Sequence, residues 1–224
     1  VSGSGYLNGF YNGYQARTGQ KFSVYEYMYH ALYYSDNNAY RILWKKLINS
    51  GYYEQYKAYM EEIGAESLTV SKDIMWVRGA QADDGVNIMK AIYEYKDSSS
   101  GNVNIDYQFV DGHNLADMAK RDVVTYGELL YWIMANGEYD YIENKTGNFS
   151  VSKTGFVSGN GPYSSRNLIA ISYGERTYII CILTKFHDES TRKAAMNYAI
   201  VETYELIKEY DAYLKNQNTL QKSN

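Results

Sequence analysis

"SVSKTGFVSGNG", residues 150–161, is the stretch on which the reading of this chain turns. Polar and apolar residues alternate up to a lysine, a hydroxyl residue and a glycine, and further glycines follow. The pattern predicts a strand running into a turn. A second Lys-Thr-Gly stands at 145–147, inside the polar "IENKTGN", with no alternation before it. The tripeptide alone therefore proves little, and its surroundings decide. Downstream, "NLIAISYGERTYIICILT" (167–184) keeps period two and predicts two strands joined at Gly174-Glu175, a glycine-first two-residue hairpin signal. A long helix from about Ser190 to Leu214 follows, and 216–224 reads as a tail.

Upstream the period is helical. "SVYEYMYHALYY" opens with a capping box, Ser23 with Glu26, and its helix runs to about Tyr34 before "SDNN" stops it. "AYRILWKKLINS" (39–50) places Ala39, Leu43 and Leu47 on one stripe and ends at Gly51. "YYEQYKAYMEEIG" (52–64) is a third helix. "DDGVNIMKAIYEYK" (83–96) is a fourth, entered through Asp83 or Asp84 as cap. Residues 97–122 lose all period and read as a surface insertion holding one short strand. "TYGELLYWIMANG" (125–137) restores a helix, with a second capping box between Thr125 and Glu128. Residues 1–20, rich in glycine and tyrosine, read as loop or the remnant of an upstream segment.

Helices, then three strands, then one helix make an α+β chain rather than an alternating α/β one. A mainly helical subdomain is expected over 21–148, and an antiparallel sheet flanked by a long C-terminal helix over 149–215. Such a sheet leaves "TYIICILT" as an apolar edge, which invites pairing. Further strands are expected there, from residues 1–20 or from a segment upstream of the chain.

Composition narrows the function classes. A net charge of −4 with no basic run gives no electrostatic reason to expect nucleic acid. The single cysteine, Cys181, excludes a disulfide framework and a cysteine-built zinc site, and its apolar surroundings predict a buried thiol. His30, His113 and His187 have no ligand spacing, so no metal and no cofactor is expected. No apolar run reaches the length of a membrane span, and "VSGSGYLNGF" is not a signal peptide. The 27 tyrosines, which could serve as core or as a sugar-binding surface, are expected to reflect core positions and compositional drift.

Ser35-Asp36-Asn37 lies at a helix-to-helix junction. Alone it reads as an N-cap, because those are residue types with which helices start. Followed by Lys153-Thr154-Gly155 on a strand, it resembles the serine β-lactamase and penicillin-binding-protein superfamily, whose motifs are S-x-x-K, S-D-N and K-T-G in that order. The flanks agree. "KFSVYEYMYHALYYSDNNAYRILWKKL" is similar to the family's helix pair around S-D-N, and "GELLYWIMANGEYDYI" to the helix before the K-T-G strand. The resemblance covers roughly residues 20–215 and is closest to class A β-lactamase-like domains. It selects Lys153 over Lys145, which reads as a loop residue.

The resemblance implies the chemistry. Members open an acyl-amide bond, in a β-lactam or the D-Ala-D-Ala end of a peptidoglycan stem peptide, through a serine acyl-enzyme. Lys153, the Thr154 hydroxyl and Arg166 would grip the substrate carboxylate, with Gly155 beside them. Asn37 would hold the substrate's side-chain amide. Ser35 would relay a proton to the leaving nitrogen, with Lys153 adjacent. Asp36 would hold the junction through backbone donors. The Phe156 N–H would supply one oxyanion donor. An extracytoplasmic location is implied too.

The nucleophile is the departure from the pattern. No S-x-x-K precedes Ser35 in these residues. Ser150 and Lys153 fall on a strand, where residues three apart face opposite ways. Ser190 and Lys193 come after K-T-G, and there the reading is an N-cap followed by solvated charges. The expectation is that the chain is the C-terminal part of a longer polypeptide carrying the nucleophile. The alternative is a catalytically inactive cell-wall-peptide-binding domain of the same fold. The class A deacylating glutamate is also missing from "SLTVSKDIMWVRGAQADD"; Glu61, Glu62 and Glu66 are expected in solvent, leaving Asp73 as a weak substitute.

Overall fold

The computed structural model of the 224-residue chain describes residues 5–7, 14–16, 24–69, 72, 80–95, 102–103, 124–135, 141–157, 165–184 and 189–222. Its order is β1 (Gly5–Leu7), β2 (Tyr14–Ala16), α1 (Val24–Leu32), α2 (Asn37–Asn49), α3 (Tyr53–Glu62), a 3-10 turn (Glu66–Leu68) and α4 (Ala82–Tyr95). Then come β3 (Asn102–Val103), β4 (Val124–Thr125), α5 (Tyr126–Ala135), α6 (Tyr141–Thr146), β5 (Ser150–Val157), β6 (Ser165–Tyr173), β7 (Thr177–Ile182) and α7 (Glu189–Lys222). The expected α+β order is present.

β5, β6 and β7 form one antiparallel sheet in that order, with Lys153 opposite Ile169 and Ile169 opposite Cys181. Alternation sends Val151 and Ile171 to one face, where they pack with Met89 of α4 and Met134 of α5. Leu168, Ala170 and Ile180 go to the other face, against Met196, Ile200 and Tyr204 of α7 and Ile142 of α6. The sheet is thus sandwiched between helices, and each fully buried Ile or Leu stabilises it by roughly 1.5–3 kcal/mol. The approach of α4 is close. A Cβ on Gly85 would collide with Cys181 Sγ and stand 3.0 Å from Ile169 Cγ2, so only glycine fits there. Tyr27, Tyr29, Tyr34 and Tyr204 are buried, while Tyr52, Tyr59, Tyr198, Tyr210 and Tyr213 are exposed.

Several boundaries differ from the sequence reading. Residues 1–20, read as loop or the remnant of an upstream segment, contain β1 and β2, which pair with each other in a separate two-stranded sheet. Among the described residues no strand pairs with the outer edge of β7. Asp83 and Asp84 do not precede α4 but lie in its first turn. Asp84 reaches back to accept from the Gln81 amide at 3.0 Å and from the Ser67 hydroxyl, fastening the 3-10 turn to α4. The β6–β7 connection has three residues, because Tyr173 pairs with Thr177. Lys145, read as a loop residue, is in the last turn of α6. That helix ends where Gly147, at φ +72°, donates to the Glu143 carbonyl at 2.9 Å. The supposed tail is helical through Lys222, since "NQNTLQK" holds neither glycine nor proline. The Thr125–Glu128 capping box is formed in both directions, at 3.0 and 3.1 Å. Ser23 and most of 97–122 lie outside the described residues.

Candidate functional site

The site begins where α1 stops. Ser35 has φ 56°, the one described non-glycine residue in the left-handed region, a conformation costing roughly 1–2 kcal/mol. This turn lets the Asp36 amide reach back to the His30 carbonyl at 3.0 Å. Asp36 then caps α2, its Oδ1 accepting from the amides of Asn38 at 2.7 Å and Ala39 at 3.3 Å. The carboxylate is almost wholly buried. Asn37 follows as the first, exposed residue of α2. The bland sequence reading of this tripeptide as a cap is therefore true of Asp36, and the cap is what aims its neighbours.

Lys153 comes to this junction from the sheet, 118 residues along the chain. Its ammonium donates to Ser35 Oγ and, at 3.0 Å, to the Thr154 carbonyl. Burial pushes its pKa down to about 8. A lysine so placed gives up its proton far more readily than a solvated one.

The backbone of β5 points the same way. Tyr173 donates to the Phe149 carbonyl at 3.0 Å, which makes Phe149–Tyr173 a hydrogen-bonded pair of the β5–β6 ladder. Such pairs alternate in an antiparallel ladder, so Val151, Lys153 and Gly155 bond inward to β6. Thr154 and Phe156 then turn their carbonyl and amide groups to the edge of β5 away from β6, where no strand pairs among the described residues. The bond from Lys153 to the Thr154 carbonyl agrees with that direction. Gly155 is exposed, and a Cβ there would meet nothing within 4 Å.

Arg166 stands opposite Phe156 in β6, half-buried, its strand end tied to Thr184 through the Arg166 amide at 3.1 Å. Strand alternation puts Thr154 and Arg166 on the α7 face and Lys153 on the α4–α5 face. Lys153 is thus brought directly to Ser35, with Asp36 and Asn37 following Ser35 in the chain. Thr154 and Arg166 lie on the opposite face of the sheet from Lys153.

Lys145 takes no part; it is exposed on α6. Glu61, Glu62 and Glu66 are exposed, as expected, and Asp73 lies outside the described residues. Cys181 is half-buried, and burial together with the charges of Asp84 and Asp83 raises its thiol pKa, so it is a poor nucleophile. Among the described residues no cluster of His, Cys, Asp and Glu could hold a metal ion. None of their helices is long and apolar enough to cross a membrane. The left-handed Ser35 and the buried bonds of Asp84 were not read from the sequence, which marked both only as residues common at caps.

No protein-family model and no curated protein sequence matches this chain. Solved structures do. The TLA-3 extended-spectrum β-lactamase is similar over 93% of this chain and 70% of its own, at TM-score 0.58 and 15% identity. The chromosome-encoded β-lactamase of Vibrio parahaemolyticus is similar over 86% of this chain and 66% of its own, at TM-score 0.51 and 15% identity. A class A β-lactamase from Mycobacterium abscessus is similar over 84% of this chain and 66% of its own, at TM-score 0.52 and 14% identity. The chain spans about two-thirds of the length of these last two proteins. It has a serine β-lactamase-like fold.

Proposed function

We propose that this chain provides the substrate-binding and proton-transfer part of an acyl-amide site, for a β-lactam or the D-Ala-D-Ala end of a peptidoglycan stem peptide. The observation that carries the reading is the bond between Lys153 and Ser35, made by a lysine whose pKa is held at about 8. In this account Lys153, Thr154 and Arg166 attract the substrate carboxylate around the β5 edge, and the open space at Gly155 admits the ligand. Asn37 takes the substrate's side-chain amide, and the Phe156 N–H stabilises the oxyanion. Ser35 passes a proton to the leaving nitrogen, and Lys153 replaces it. Asp36 positions Ser35 and Asn37 through its cap. The serine that forms the acyl-enzyme belongs to an S-x-x-K segment upstream of these residues in the same polypeptide, which also covers the outer edge of β7. Such a protein would work outside the cytoplasm, where peptidoglycan is exposed.

A catalytically inactive cell-wall-peptide-binding domain would use the same carboxylate grip without the acyl step. Calorimetric titration with an acylated peptide ending in D-Ala-D-Ala tests what both share. Losing charge-assisted bonds worth about 1.5–3 kcal/mol, Lys153→Ala is expected to weaken binding roughly 10- to 100-fold. Equal affinity in the two proteins, or no binding by either, would overturn the reading. Acylation by penicillin of a polypeptide carrying the upstream segment separates enzyme from binding domain.

A further inference from the structure

We propose that Ser35 is itself a nucleophile, with Lys153 as its general base, and that it accepts the acyl group of a β-lactam-type donor. The inference rests on the reading of this site as an acyl-amide site, and gives Ser35 a second capacity beside proton relay. A nucleophilic hydroxyl needs a base within hydrogen-bond reach, and Lys153 Nζ is bonded directly to Ser35 Oγ. The base must be able to become neutral. Burial achieves this, leaving about a tenth of the lysine uncharged at pH 7 for a pKa of about 8. The hydroxyl must also be accessible. Ser35 is half-buried, and its left-handed backbone sets it at the turn between α1 and α2 instead of within either helix. The capping carboxylate of Asp36 holds that turn. On the strand bearing the base, the Phe156 amide turns to the edge away from β6, where it can donate to a carbonyl oxygen.

The step balances without a co-reactant. Neutral Lys153 takes the Ser35 hydroxyl proton as Oγ bonds to the lactam carbonyl carbon. The carbonyl carbon–nitrogen bond breaks, and the ring nitrogen receives the proton from Lys153. The opened donor stays attached, so the protein gains its whole mass.

Intact-mass spectrometry of the 224-residue chain with benzylpenicillin, followed by peptide mapping, tests this. One equivalent on the peptide containing Ser35 is expected. Lys153→Met should slow labelling at least about 100-fold, the usual contribution of a general base. Ser35→Gly, which suits a left-handed backbone, should abolish it. No adduct, an adduct mapped to any other residue, or unchanged labelling of Lys153→Met would overturn the proposal. If the D-Ala-D-Ala peptide binds but no adduct forms at Ser35, this inference fails while the proposed function stands. If neither occurs, both fail.

Discussion

Replacing Lys153 by methionine should change how the stability of this fold depends on pH. The ammonium has a pKa of 10.5 when solvated and about 8 in the folded chain. Below about 8 both states hold the proton, and the folded state bears the whole cost of a charge removed from water. Between about 8 and 10.5 the unfolded chain binds the proton and the folded chain does not. Wild-type stability therefore rises with pH across that window, by up to about 1.4 kcal/mol per pH unit. The full span amounts to at most about 3.4 kcal/mol. Methionine keeps much of the side-chain volume and carries no proton. Relative to Lys153→Met, the wild type should gain up to about 3 kcal/mol between pH 7 and pH 10.5. Urea unfolding of both proteins at half-unit intervals measures the difference, and titrations common to both cancel. A difference constant within about 0.5 kcal/mol across the window would mean that Lys153 is solvated, and would refute the argument from burial.

Three further substitutions probe the fold and the site separately. Gly85→Ala puts a methyl into Cys181 and Ile169 and should cost about 1–3 kcal/mol by forcing α4 off the sheet, seen as a lower urea midpoint. Asp36→Ala removes the cap of α2 and should cost about 0.5–2 kcal/mol; an unchanged midpoint would contradict the capping geometry. Gly155→Ala meets no neighbour, so stability should stay within about 0.5 kcal/mol while peptide affinity falls. Equal affinity would show that the ligand does not use that edge.

The parts legible in the sequence were those whose signal is local. The β5–β7 strands announced themselves because alternate residues meet opposite helix layers, which is why Val151 and Leu168 point apart. The Thr125–Glu128 box worked because both its partners lie within one turn. Short elements gave no such signal. α6 has six residues, too few for a period, so Lys145 passed for loop, and the three-residue β1 and β2 were hidden among glycines and tyrosines. α7 overran its expected end because nothing in its polar last turns breaks a helix. At the site, residue types and order pointed to Ser35 and Lys153, but long-range facts supplied the chemistry. The bond from Lys153 to Ser35 and the outward turn of the Phe156 amide depend on elements distant in sequence.

If the junction of Ser35-Asp36-Asn37 with the β5 edge is one ligand site, a bound peptide must perturb both sides of it. Amide chemical-shift mapping during titration with a peptide ending in D-Ala-D-Ala tests it most directly. Perturbations are predicted at Asn37, Gly155, Phe156 and Arg166, weakened together in Lys153→Ala. Saturating peptide that leaves these four amides unmoved, or moves only residues at the far end of α7, would contradict it.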